Sequence, residues 1–192
     1  MNGKVNLLEA DRSELVHVLE KCIPTMNSKD LASVLYGISS LKLPPRSRDM
    51  IILSDLLLER LDSLKDEISS TELSLSLLGL AKLGVTYSSQ KEVNKLHAVK
   101  MDSANSRSNT HMPIFLHALP RVMHLMDNLQ VANTIWAMGK IGCHWDSLTL
   151  KVQQTIGQAV YKVGSEMNEL GIATTIHGKS VVYPNQSKLF LS

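Results

Sequence analysis

The sequence predicts an all-α fold, an α-solenoid of about three and a half stacked helical hairpins, each 41–42 residues long. Three observations predict it. The same helix-start chemistry recurs along the chain. Apolar residues then follow at helical spacing rather than in strand alternation. Aromatic residues make up only 4% of the 192 residues while Leu and Met are abundant, a bias toward helix over strand.

The repeated starts lie at Met26, Ile68, Met126 and Met167, separated by 42, 58 and 41 residues. The next column holds Asn27, Ser69, Asp127 and Asn168, all good N-caps because their side-chain oxygens accept from an otherwise unpaired amide. Three residues on come Asp30, Glu72 and Gln130; Ser69 with Glu72 reads as a capping box, and Gly171 breaks the column in the fourth copy. The residue before each cap is apolar, and so is the fourth after it (Leu31, Leu73, Val131, Ile172), which is the spacing of a hydrophobic staple.

Taken in order, Ser13 to Ile23 reads as the second helix of a hairpin without its first. Further helices are expected near 28–42, 47–67, 70–84, 113–125, 128–142 and 147–163. Leu31, Leu35, Ile38 and Leu41 mark one face of the first, and Leu73, Leu77, Leu80 and Leu83 repeat it, as do Val131, Ile135, Met138 and Ile141. Gly84 and Gly142 stand at helix stops, whereas Lys42 and then Pro44-Pro45 end the first copy. Ser47, Ser89 and Ser147 share a column and are expected to cap the second helices. Pro113 suits a first turn, and Pro120 argues for a kink or break. A polar insertion over 100–111 accounts for the long spacing. The repeat domain thus covers 13–178, followed by an irregular tail over 179–192.

Composition excludes several classes. A 44% hydrophobic content excludes disorder, and two unrelated cysteines, Cys22 and Cys143, exclude a disulfide scaffold. No run of about 18 apolar residues is present to span a membrane. A net charge of +2 announces no strong general affinity for nucleic acid. The first residues, with Glu9 and Asp11 and little Arg or Ser, read as neither a secretory signal nor an organellar presequence. Enzyme chemistry is not written either. No phosphate-binding glycine loop or nucleophile elbow occurs, and Cys143-His144 and the pair His117 and His124 lack metal-ligand spacing. Neither cofactor nor metal is expected, and Cys143 reads as a buried structural thiol.

The stretch Val131-Ala-Asn-Thr-Ile-Trp-Ala-Met-Gly-Lys-Ile-Gly142 resembles the signature of octotricopeptide-type repeats, and Leu73 to Gly84 is similar. Related repeats occur in heptatricopeptide and RAP-domain proteins of apicomplexan parasites and in FAST-kinase-like proteins. The resemblance implies an organellar RNA-associated scaffold: a mitochondrial ribosome component binding rRNA and neighbouring proteins, or an RNA-maturation factor. It implies a mitochondrial address, the alternative being cytoplasmic. No RAP domain follows the repeats, the repeats are longer than the family's usual length, and the insertion is extra.

Ser33, Leu75, Asn133 and Thr174 share a column two residues past the staple stripe, so they face away from it. Ser33, Asn133 and Thr174 are candidates to read base edges, and Leu75 interrupts them. Lys82 and Lys140 occupy equivalent positions with Ser40 and are candidates for phosphate, or simply favourable charge at helix ends. Lys100 and Arg107 of the insertion are further candidates. Trp136, with Tyr36, Leu78 and His177, reads as packing or as a stacking platform. So few cations predict weak binding by the isolated chain and a place inside a larger ribonucleoprotein. The competing reading is a protein–protein adaptor of HEAT or armadillo type without nucleic-acid contact. No membrane or small-molecule substrate is expected in either case.

Overall fold

The computed structural model describes residues 9–41, 48–85, 113–169 and 171–175. Within them the chain is helical and contains no strand. Seven helices alternate between two roles. First helices are α2 (Ser28–Ser40), α4 (Ser70–Leu83) and α6 (Asn128–Lys140); second helices are α1 (Glu9–Cys22), α3 (Arg48–Ser63), α5 (Pro113–Val122) and α7 (Leu150–Val163). Residues 171–175 begin a further first helix.

All four helix starts form as their sequence dictates. The Asn27 Oδ1 accepts from the Asp30 amide at 2.9 Å, Asp127 Oδ1 from Gln130 at 2.8 Å, and Asn168 Oδ1 from Gly171 at 2.8 Å. Ser69 makes the full capping box: its Oγ accepts from the Glu72 amide at 3.4 Å, and its own amide donates to Glu72 Oε2 at 2.8 Å. Stops form equally locally. Gly84 at φ 76° and Gly142 at φ 81° take the left-handed conformation that only a residue without Cβ adopts cheaply. Beyond each, an amide closes back on the helix, Val85 to the Leu80 carbonyl at 3.1 Å and Cys143 to Met138 at 2.9 Å.

Three expectations need correction. The α7 cap is Thr149, whose Oγ1 accepts from the Val152 amide at 3.4 Å. Ser147 instead sits in a 3-10 turn, Trp145–Ser147, and donates to the His144 carbonyl at 2.6 Å. Its hydroxyl is satisfied inside that turn, two residues too early to cap the helix. Of the kink or break expected at Pro120, the break does not occur: α5 runs on to Val122 and passes into the 3-10 turn Met123–Leu125. So close to the helix end, the missing amide removes one bond without undoing the turns before it. The second helix expected to reach residue 67 ends at Ser63, and hydrogen-bonded turns carry the chain through 64–67. Lys42, Pro44, Pro45, Ser47, Ser89, the insertion 100–111 and the tail 179–192 lie outside the described residues.

Packing follows the repeat. First helices contact first helices, α2 on α4 and α4 on α6, and these are the most extensive contacts between elements. Second helices contact second helices, α1 on α3 and α5 on α7. Each hairpin also closes on itself through α2 with α3, α4 with α5 and α6 with α7. The staple and stripe residues supply one continuous core: Leu31, Leu35, Ile68, Leu73, Leu77, Met126, Val131 and Ile135 are all buried in it. At about 25 cal/mol per Å² of apolar surface, burial of this kind outweighs the weak intrinsic stability of helices this short.

A second recurrent device holds each hairpin shut. A cation near the end of the second helix donates to backbone carbonyls in the turn that begins the same hairpin. Arg60 on α3 reaches the Met26 carbonyl from Nε at 2.9 Å and Nη2 at 2.7 Å. Arg121 on α5 donates through Nη2 to Lys65 and Ile68 carbonyls at 2.9 and 2.8 Å. Lys162 on α7 reaches the His124 carbonyl at 2.9 Å. Those carbonyls follow the previous second helix, where the chain has no helical partner for them and where positive charge is favourable.

Candidate nucleic-acid interface

The first helices carry the candidate surface because their successive contacts repeat one register. Leu35 of α2 meets Gly79 of α4 at a separation that would bring an added Cβ within 2.8 Å of the Leu35 carbonyl carbon. The columns two and five residues past the staple position are exposed on α2 at Ser33 and Tyr36 and half-buried on α4 and α6.

Ser33 is exposed on α2, and its hydroxyl donates to the Lys29 carbonyl at 2.9 Å. That bond occupies the proton and leaves the oxygen as an acceptor only. Leu75 and Asn133 are half-buried at the equivalent places on α4 and α6, and Thr174 is half-buried at 171–175. Among the described residues the Asn133 amide makes no hydrogen bond, so of this column it holds the most free donor and acceptor capacity.

Lys82 and Lys140 are exposed, and each lies over an aromatic ring. The Lys82 ammonium crosses from α4 to Tyr36 on α2, 4.3 Å from the ring centroid. Lys140 has Leu78 where the preceding helix would offer a ring, and lies 5.7 Å from Trp136 of its own helix. Tyr36 is exposed and Trp136 half-buried against the core. One cation–ring pair thus joins α4 to α2, and a second lies within α6. A cation over a ring holds its charge at the surface without an acidic partner, so that charge remains available to an anion. Lys100 and Arg107 lie outside the described residues.

Asp30 and Glu72 stand in the first turns of α2 and α4, at the opposite end of those helices from Tyr36 and Lys82. Glu59 and Asp62 are exposed on α3, and Asp66 is exposed in the turn after it. Asp62 pairs with Lys65 at 3.5 Å, and Asp66 meets His117 of α5 at 3.3 Å. Arg60, Arg121 and Lys162 are committed to the carbonyls described above. The sequence reading missed their role, although a cation in the last turn of each of these second helices is the signal that would have found it.

Cys143 is buried at 1% exposure, and desolvation pushes its thiol up to about 12. It stays protonated and packs as a small apolar residue, which is the structural role expected of it. Among the described residues no three His, Cys, Asp or Glu side chains come together as metal ligands would, and no helix is long and apolar enough to cross a membrane. No family model matches the chain, and no curated protein matches it.

Proposed function

We propose that the chain is a non-enzymatic, RNA-associated scaffold whose hairpins stack as an α-solenoid of octotricopeptide type. Its setting is a mitochondrial ribonucleoprotein, the ribosome foremost or an RNA-maturation complex. One observation carries the reading: the exposed Lys82 and Lys140 each lie over an aromatic ring of the first helices, Tyr36 and Trp136. Phosphates need the cation, and unstacked bases accept an aromatic neighbour. The Asn133 amide beside them supplies a donor and an acceptor for a base edge. The mitochondrial setting rests on the repeat resemblance alone.

Two lysines hold RNA weakly, so the isolated chain binds at low salt and loses the ligand as salt rises. The test is fluorescence anisotropy with a single-stranded oligonucleotide across a salt series. Each phosphate contact contributes about −0.7 to the slope of log affinity against log salt, so K82E/K140E should flatten it by about 1.4. No binding even at low salt, or an unchanged slope in the double variant, overturns the reading.

A protein–protein adaptor is favoured by a different observation. Leu125 in the 3-10 turn before α6 and Leu129 in its first turn are 64% and 62% exposed, apolar surface that RNA does not require.

A further inference from the structure

From Val131 to Lys140, α6 buries every residue except Asn133 and Trp136, which are half-buried, and Lys140, which is exposed. Steps of three and four residues place them on one face, in a single stripe about 10 Å long at about 1.5 Å per residue. The stripe holds a carboxamide, an indole and an ammonium, in that order toward the end of the helix. α4, packed alongside, has Leu75, Leu78 and Lys82 at the equivalent places, and α2 has Ser33, Tyr36 and Ser40. Of these first helices, α6 alone carries all three kinds of group.

Each group is open to a ligand. The Asn133 amide has its hydrogen-bonding capacity free among the described residues, and there Lys140 pairs with no carboxylate. The Lys140 ammonium stands 5.7 Å from the Trp136 centroid, near the outer limit of attraction to a ring. An anion that draws it outward leaves that face of the indole to another ring. The charges also give the stripe a direction. Asp127 caps the start of α6 and Lys140 ends it, so a phosphate is repelled from one end and held at the other. The stripe is about as long as one nucleotide from phosphate to base edge.

The amide selects among bases. It offers a donor and an acceptor side by side. Adenine shows the complementary acceptor and donor on both of its edges, N1 with N6 and N7 with N6, so the pair is bidentate on either. Guanine shows two acceptors at O6 and N7, and a pyrimidine lays a smaller face on the indole.

Resting on the RNA reading above, we propose that the third hairpin binds one adenine nucleotide of a single-stranded RNA. Lys140 holds its phosphate, Trp136 stacks its base and Asn133 reads the base edge. With Leu75 and Leu78 in the corresponding places, the second hairpin offers Lys82 to a phosphate and selects no base.

The test uses the full chain at low salt with a short single-stranded oligouridylate carrying adenosine, guanosine, cytidine or uridine at its centre. Fluorescence anisotropy should show the adenosine strand bound at least about fivefold more tightly than the others, the size of one bidentate pair. Asn133→Ala should bring the four strands within about twofold of one another and leave the salt slope unchanged, because the amide makes no phosphate contact. Lys140→Gln should flatten that slope by about 0.7 and keep the order of preference. Trp145→Phe leaves Trp136 as the one tryptophan, and the adenosine strand should quench its fluorescence. Circular dichroism checks helicity, and Asn133→Leu, the residue type that α4 carries there, replaces Asn133→Ala if that variant loses it. Salt-dependent binding without preference among the strands overturns the adenine site and leaves the RNA reading standing. So does a preference that survives Asn133→Ala, a salt slope that Lys140→Gln leaves unchanged, or adenosine binding without quenching. No binding of any strand at low salt overturns both.

Discussion

α2 and α4 are written in nearly the same chemistry and live in different surroundings. Both begin at a cap that accepts the amide three residues on, and both bury a leucine pair in the core, Leu31 and Leu35 or Leu73 and Leu77. α4 lies between α2 and α6, so Ser74, Ser76, Gly79 and Leu83 are buried as well. α2 has a first helix on one side alone among the described residues, and Gly37 stands open. Equivalence in sequence therefore fixes a residue's direction but not its burial. Burial depends on whether the next hairpin is there.

The largest expected effects fall on residues buried in both settings. Leu77→Ala and Ile135→Ala should each cost about 2–5 kcal/mol in chemical denaturation, since each empties a site between first helices. A loss below about 0.5 kcal/mol would mean that the register drawn here is wrong.

Glycine separates the two helices most sharply. Gly79→Ala should destabilise by about 1–3 kcal/mol, because the methyl group meets the Leu35 backbone, which has no flexible end to yield. Gly37→Ala meets nothing and should stabilise by about 0.5–1 kcal/mol through helix propensity. Two substitutions of the same sign would erase the distinction between covered and open helices.

The cysteines extend the comparison to the open edge. Cys22 on α1 is exposed and should react with a thiol reagent in the native chain, while Cys143 should react only on unfolding. The Cys143 thiol is raised from 9.0 to about 12 by burial, so it favours the folded state below pH 9 and loses that contribution as pH climbs from 9 toward 12. At pH 10 the loss should be about 1.4 kcal/mol, read as the difference in alkaline slope between wild type and Cys143→Ala. Identical slopes would show that the thiol ionises equally in both states.

The smallest effect concerns one buried column. Thr134 and Thr175 direct their hydroxyls to the sulfur of Met126 and Met167, both at 3.6 Å. In the second hairpin the start residue is Ile68, which carries no sulfur, and among the described residues the buried Ser76 hydroxyl has no hydrogen-bond partner. Ser76→Ala should therefore gain about 0.5 kcal/mol, whereas Thr134→Val should lose about as much. A loss on Ser76→Ala would show that its hydroxyl has a partner after all.

Much of this was legible because it is local. A cap such as Asn27 meets its partner three residues away, and Gly84 ends α4 through bonds within five residues, so both are written in the letters beside them. The candidate surface was legible in part. Helical period set Lys82 and Lys140 at equivalent positions and left Trp136 between packing and stacking, yet no spacing in the chain says that Lys82 reaches across to Tyr36 while Lys140 turns to its own helix. The Ser147 error has the same origin in reverse. A serine can satisfy itself in a turn or cap a helix, and the 3-10 turn at Trp145–Ser147 decided between two local options of similar energy.

By itself, then, the sequence determined where the first helices begin, where Gly84 ends α4, and which side of each first helix turns inward, because those follow from bonds and periodicity within a few residues. Tertiary structure alone decided where long side chains end, as Arg60 does on the Met26 carbonyl 34 residues away, and which of two like positions is covered, as with Gly79 and Gly37. The physical reason is that burial and long-range hydrogen bonds are properties of a neighbour. The identity of that neighbour is settled by how the hairpins stack, not by the residues on either side in the chain.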